Sequence, residues 1–179
     1  TTNEALLLGY LLRRSGTDAE KKWLLNYFYD MVRTTFFRQA MFADFERRAH
    51  ARAEAGDALT PEWMSTLWDE LNARYYGPEL TVDPALCAEW ARIPHFYSAF
   101  YVYKYVTGFT AAGAFADAIL TGTDGARDRY LTFLKSGGSD HSLNILRRAG
   151  VDLTGAEPFE RTLRLFEARL DEGEALWGA

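Results

Sequence analysis

Three tyrosines spaced by four, Tyr97, Tyr101 and Tyr105, follow a histidine, His95. On a helix, residues four apart share one face, so the three hydroxyls would stand one turn apart beside the imidazole. Such an aromatic stripe can be plain core. Yet a buried tyrosine hydroxyl needs a hydrogen-bond partner. Three of them together can line a polar cleft, where Tyr and His donate to negative charge developing on a tetrahedral oxygen. No nucleophile or base accompanies them, so the group reads as half of a site. The other histidines, His50 and His141, lie far away in sequence. His50 and Glu54 have the i,i+4 spacing of a metal-binding pair, but they fall on a basic helix tail that reads as solvent-facing. There, Arg47, Arg48 and Arg52 alternate with Glu46 and Glu54 in what reads as an ordinary solvated face. Gly137-Gly138-Ser139 could receive a backbone or phosphate ligand; taken alone it is a turn. The chain has no His-Glu-x-x-His, no P-loop, no dinucleotide-binding glycine pattern and no calcium loop.

The elements that must position these residues are helical throughout. Apolar residues recur at helical spacing from about Asn3 to Arg14. Thr17 can cap a second helix, with Glu20 in the capping-box position, and this segment runs from about Asp18 to Ala55. Thr60-Pro61-Glu62 is a strong helix start, ending at Gly77-Pro78. A brief helix is expected from Pro84 to Trp90, and Ile93-Pro94 breaks the chain again. From His95 to about Leu120 the pattern predicts one long central helix, since only Lys104 and Asp117 are charged between Phe96 and Leu120. Further helices are expected from Asp124 to Lys135, Ser142 to Ala149 and Pro158 to Leu170. No stretch alternates convincingly, no repeat is present, and no linker divides the chain. The expectation is a single all-α domain over residues 1–179.

Composition narrows the function. With 48% hydrophobic and 25% charged residues, the 179-residue chain can fill one hydrophobic core. A formal net charge of -5 is a poor basis for general nucleic-acid binding. The single cysteine, Cys87, excludes an internal disulfide and a multi-cysteine metal site. No apolar run is long enough to span a membrane as a helix. The opening Thr1-Thr2-Asn3-Glu4 has neither an initiator Met nor a signal-like segment, and helical periodicity starts almost at once. A trimmed boundary or a piece of a larger protein would both produce this.

Four ordered blocks point to a family. Ile93-Pro94-His95-Phe96-Tyr97, with Phe100-Tyr101-Val102-Tyr103-Lys104-Tyr105 and Thr107-Gly108, resembles the C-terminal region of the bacterial oligoendopeptidase F family, zinc peptidases similar to thimet oligopeptidase. Arg38-Gln39-Ala40-Met41-Phe42-Ala43-Asp44-Phe45-Glu46 resembles a block of its long helix. Phe133-Leu134-Lys135-Ser136-Gly137-Gly138-Ser139 with Ala149-Gly150-Val151-Asp152 resembles its glycine-turn block. Thr1-Thr2-Asn3-Glu4 resembles the stretch following the third zinc ligand.

The resemblance implies an all-helical C-terminal part of a zincin-type fold and a parent enzyme that hydrolyses short peptides. In that family, zinc polarises the scissile carbonyl and activates water, while a glutamate acts as base. By resemblance His95 and Tyr105 are the catalytic hydrogen-bond donors to the oxyanion and substrate. Tyr101 is next for the oxyanion role, and Tyr97 or Tyr103 could replace either. Gly137 and Gly138 would lie near the substrate. The zinc motif is absent, the third ligand should precede Thr1, and Glu4 falls in the block after it. The expectation is therefore a fragment with no metal ligand of its own, inactive alone, whose zinc belongs to the intact parent. Its expected partners are short peptides and the missing N-terminal part of the enzyme, with self-association possible through uncovered apolar surface. Neither nucleic acid nor membrane is expected, and a cytoplasmic location rests on the resemblance. The alternative is a stand-alone helical module that binds peptides or a protein without catalysis.

Overall fold

The computed structural model describes residues 1–178. They are helical, with no strand among them: α1 Thr2–Arg14, α2 Asp18–Val32, α3 Arg38–Glu54, α4 Pro61–Tyr76, α5 Tyr103–Leu120, α6 Ala126–Ser136, α7 Ser142–Arg148 and α8 Glu157–Trp177. A π-helical turn, Arg33–Phe37, interrupts the segment expected to be one helix from Asp18 to Ala55, and 3-10 turns cover Pro84–Arg92 and Pro94–Tyr97. No helix among the described residues is long and apolar enough to cross a membrane. The contacts divide into two compact units: Thr1–Val32 together with the chain from Thr107 onward, and Arg33–Val106.

In the first unit the expected capping box closes α2. Glu20 N–H donates to Thr17 Oγ1 at 3.3 Å, while Glu20 Oε2 accepts from Gly16 N–H at 2.9 Å. Helices α2 and α8 pack through Tyr29, whose hydroxyl donates to the Arg169 carbonyl at 2.6 Å, and through Phe28 against Phe166. Lys21 and Glu172 pair at 2.7 Å beside them. Gly173 makes this approach possible, because a Cβ there would overlap the Tyr29 hydroxyl and the Trp177 ring. The last helix runs past the expected Leu170 end to Trp177. A second core gathers Ala111, Phe115, Tyr130, Ala149 and Val151. A cavity of about 290 Å³ lies in this unit, lined mainly by apolar side chains such as Leu8, Leu12, Phe28, Phe109 and Leu165. It holds none of the candidate site residues.

Asp140 anchors the short helix α7. It accepts from His141 N–H at 2.7 Å, Asn144 Nδ2 at 3.1 Å and Arg148 Nη1 at 2.5 Å. The Arg148 guanidinium, followed by Asn144 and the His141 amide, holds its pKa at about 2. The Thr154 hydroxyl and amide, with Arg147, do the same for Asp152, also to about 2. Both pKa values lie below the ordinary 3.8. Their contribution to stability is thus complete above that value and is lost as pH falls through about 2. Carboxyl carbon shifts in NMR are expected to titrate with midpoints near 2 at both residues, and α7 to loosen over the same window. Midpoints near 4 would mean these contacts do not persist in solution.

The second unit is built on an aromatic core. Met41, Phe42 and Phe45 of α3 meet Leu67, Trp68 and Leu71 of α4, together with Ile93 and Val102, and Trp63, Trp90 and Phe96 pack against them. Thr60 Oγ1 accepts from Trp63 N–H at 3.3 Å, the expected cap of α4. Glu89, almost fully buried in the first 3-10 turn, pairs with Arg38 at the start of α3 at 2.7 Å. That pair fixes the turn leading into the His95 segment.

Candidate functional site

Ile93 precedes a proline and is extended, with φ -85° and ψ 106°, as the clash with the proline ring requires. Pro94 starts a single 3-10 turn that ends at Tyr97, and Ser98 returns to extended geometry at φ -120°. Phe100 then adopts φ +53°, the left-handed region. These two residues stop the helix expected from His95, so α5 begins only at Tyr103. The stripe of three tyrosines on one helical face does not form. Tyr97 is 86% exposed on the 3-10 turn, and Tyr103 opens α5 with its ring half in solvent.

The turn nevertheless brings three of the expected residues together. The Tyr105 hydroxyl lies 3.2 Å from His95 Nε2. The His95 and Tyr101 rings are 5.6 Å apart, and the Tyr101 and Tyr105 rings meet edge to face at 5.7 Å. Hydrogen bonding to Tyr101, with some loss of hydration, raises the Tyr105 pKa above the usual tyrosine value. A hydroxyl carries one proton. If Tyr105 gives it to Tyr101, its contact with His95 must be made by Nε2–H donating to the phenol oxygen. Neither tyrosine is buried: Tyr101 is 39% exposed and Tyr105 is partly exposed. Lys104 lies over the outer face of Tyr101, 5.0 Å from the ring centre. The cluster is a set of partly exposed hydrogen-bonding groups.

Gly137 and Gly138 belong to the other compact unit, where they close α6. Gly137 takes φ +48°, and nothing lies within 4 Å of a Cβ placed on either glycine. Both are exposed. No three His, Cys, Asp or Glu side chains among the described residues stand close enough to hold a metal ion. The donor set of the described residues therefore does not fit a zinc site.

One residue was misread from the sequence. Glu46, expected on a solvated face, is only 5% exposed. Its Oε1 accepts from the Phe100 N–H at 2.7 Å. One turn along α3, the His50 ring lies 4.4 Å from the Phe100 ring, so His50 faces an aromatic ring, not a metal or open solvent. A left-handed non-glycine residue costs about 1–2 kcal/mol, and a hydrogen bond to a charged acceptor contributes about 1.5–3 kcal/mol. The second offsets the first. The available signal was spacing: Glu46 falls four residues after Phe42 and one after Phe45, inside the apolar face of α3.

Comparison with known proteins places the chain. The model of peptidase family M3 matches residues 1–165. Oligopeptidase PepF of Bacillus subtilis is 44% identical over 176 residues, covering 98% of this chain and 26% of that protein. The plasmid-encoded oligoendopeptidase F of Lactococcus lactis subsp. cremoris is 43% identical, covering 98% of this chain and 29% of its own length. The crystal structure of oligoendopeptidase-F from Enterococcus faecium superposes with a TM-score of 0.93 at 43% identity, covering 98% of this chain and 34% of that one. The chain thus spans 26–29% of the length of these two curated relatives. With a family model over nearly its whole length and relatives above 40% identity, the chain belongs to peptidase family M3.

Proposed function

We propose that this chain supplies the substrate-binding wall of an oligoendopeptidase acting on short peptides. Tyr105 and His95 donate hydrogen bonds to the substrate carbonyl and to the oxyanion it becomes. Tyr101, Tyr97 and Tyr103 are further substrate contacts; the Gly137-Gly138 turn is a separate candidate contact within the other compact unit. The observation that carries the reading is the 3.2 Å contact between the Tyr105 hydroxyl and His95 Nε2 on an accessible surface.

The donors act by exchange of partners. On this reading the Tyr105 proton points to Tyr101 in the free site. A phenol O–H turns readily about its C–O bond, so an incoming carbonyl oxygen can take that proton while Tyr101 donates its own to the Tyr105 oxygen. His95 Nε2–H, released from the Tyr105 oxygen by that donation, turns to the substrate oxygen. Each bond strengthens as charge builds on the substrate, which is the condition for lowering the barrier as opposed to merely tightening binding. Any zinc in the enzyme needs ligands from outside the described residues, and so does the base that activates water. The 179 residues alone are expected to bind peptides without cutting them.

The test is hydrolysis of short quenched-fluorescent peptides by the intact natural protein that carries these residues. Cleavage that is abolished by a chelator and restored by zinc is expected, with no cleavage by the 179-residue chain. Peptide binding by the intact protein with no cleavage under any metal condition would favour a non-catalytic binding module instead.

A further inference from the structure

We propose that Glu46 is a positioning residue that sets the geometry of the His95–Tyr101–Tyr105 cluster by clamping Phe100. This rests on the functional reading above for its effect on catalysis, and on the fold alone for the clamp. Phe100 is the one non-glycine residue with positive φ among the described residues. It stands directly before Tyr101, at the point where the chain leaves the 3-10 turn of His95 and turns into α5. The segment around it is pegged to the core at three places. Ile93 and Val102 are fully enclosed there and Phe96 packs against the same cluster. Between these pegs the backbone-to-backbone bonds are short-range turns: Phe96 N–H to the Ile93 carbonyl at 3.3 Å, Ser98 N–H to the His95 carbonyl at 3.0 Å and Tyr101 N–H to the Ser98 carbonyl at 3.1 Å.

The left-handed bend is therefore imposed from outside the segment, and α3 imposes it twice. Glu46 Oε1 takes the Phe100 N–H at 2.7 Å, and the His50 ring, one turn further on, lies against the Phe100 ring. Buried among Phe42, Phe45 and Ala49, the carboxylate has little solvent to compete for that amide. If the acceptor is removed, Phe100 can relax toward negative φ. Such a backbone rotation swings Tyr101 away from Tyr105, and a displacement of about 1 Å in a positioned catalytic group can cost on the order of 100-fold in rate.

The experiment compares Glu46→Leu, which removes the acceptor, with Glu46→Gln, which keeps a carbonyl oxygen at the same reach. Both are made in the intact natural protein, beside Tyr105→Phe. Amide exchange of the segment from Ser98 to Tyr101 is expected to rise by about tenfold or more in Glu46→Leu and to stay near wild type in Glu46→Gln. Turnover of a short peptide is expected to fall roughly 10–100-fold in Glu46→Leu with KM little changed, and to be largely retained in Glu46→Gln. If the leucine variant does not fold, Glu46→Asp draws the oxygen back by one carbon and should show the same losses in smaller measure. Unchanged exchange in the leucine or aspartate variant overturns the clamp. Raised exchange with unchanged turnover, while Tyr105→Phe is slow, overturns the positioning role and leaves the functional reading intact. If Tyr105→Phe itself turns over normally, the functional reading fails, and the exchange data still decide the clamp.

Discussion

Replacing Tyr105 with Phe in the intact enzyme is expected to lower kcat by roughly 10²–10³-fold, the usual cost of losing one oxyanion donor, with KM changed far less. The substitution removes a single oxygen. It leaves the ring that packs edge to face on Tyr101 and the helical position of residue 105 untouched. The lost bond is weak against a neutral carbonyl and strong against an oxyanion, so kcat and kcat/KM should fall together. His95→Gln is the companion: its side-chain amide can still donate toward Tyr105, and a smaller loss is expected. Steady-state kinetics on one peptide checks both. A Tyr105→Phe enzyme with normal kcat would remove Tyr105 from the reaction and leave it as a surface aromatic.

Replacing Trp68 with Ala is expected to destabilise the Arg33–Val106 unit by about 3–5 kcal/mol, a large share of the about 5–15 kcal/mol typical of a folded domain. Trp68 is completely enclosed. Its ring meets Phe45 edge to face at 5.0 Å, Phe42 at 5.3 Å and Phe96 at 6.2 Å. Because Phe96 follows His95, the cavity would open directly beneath the candidate site. Trp68→Phe should cost much less, since the indole Nε1–H is buried with no partner and its removal relieves an unpaired donor. Urea unfolding of the three proteins checks the order. If Trp68→Phe proves as damaging as Trp68→Ala, ring volume outweighs the unpaired donor.

The all-helical class and most helix starts were legible because they depend on local chemistry. Thr17 with Glu20 and Thr60 with Pro61 each satisfy the free amides of their own first turn, and nothing distant can change that. The break between His95 and Tyr103 was not legible. The residues from Phe96 to Tyr105 have good helical spacing, and the feature that overrules it is a carboxylate fifty-four positions earlier holding the Phe100 amide. The extension of the last helix past Leu170 was not legible either; at Gly173 the Tyr29 hydroxyl of another helix occupies the space a side chain would need. The π-helical turn at Arg33–Phe37 carries no spacing signal at all. For the site, residue types pointed to His95, Tyr101 and Tyr105. Their meeting came from a folded turn where a helical stripe was expected, and it left Tyr97 outside.

The tryptophans are unevenly shared between the two compact units, which has a spectroscopic consequence. Trp68 is fully enclosed, and Trp63 and Trp90 pack against the same core in the Arg33–Val106 unit. Trp23 and Trp177, both in the other unit, are 68% and 48% exposed. An indole in apolar surroundings emits at shorter wavelength than one in water. The blue edge of the intrinsic fluorescence is therefore weighted toward the unit that carries His95 and Tyr105, and the red edge toward the other. Unfolding of the site-bearing unit can be followed without a label, as a loss of intensity at the short-wavelength edge of the emission.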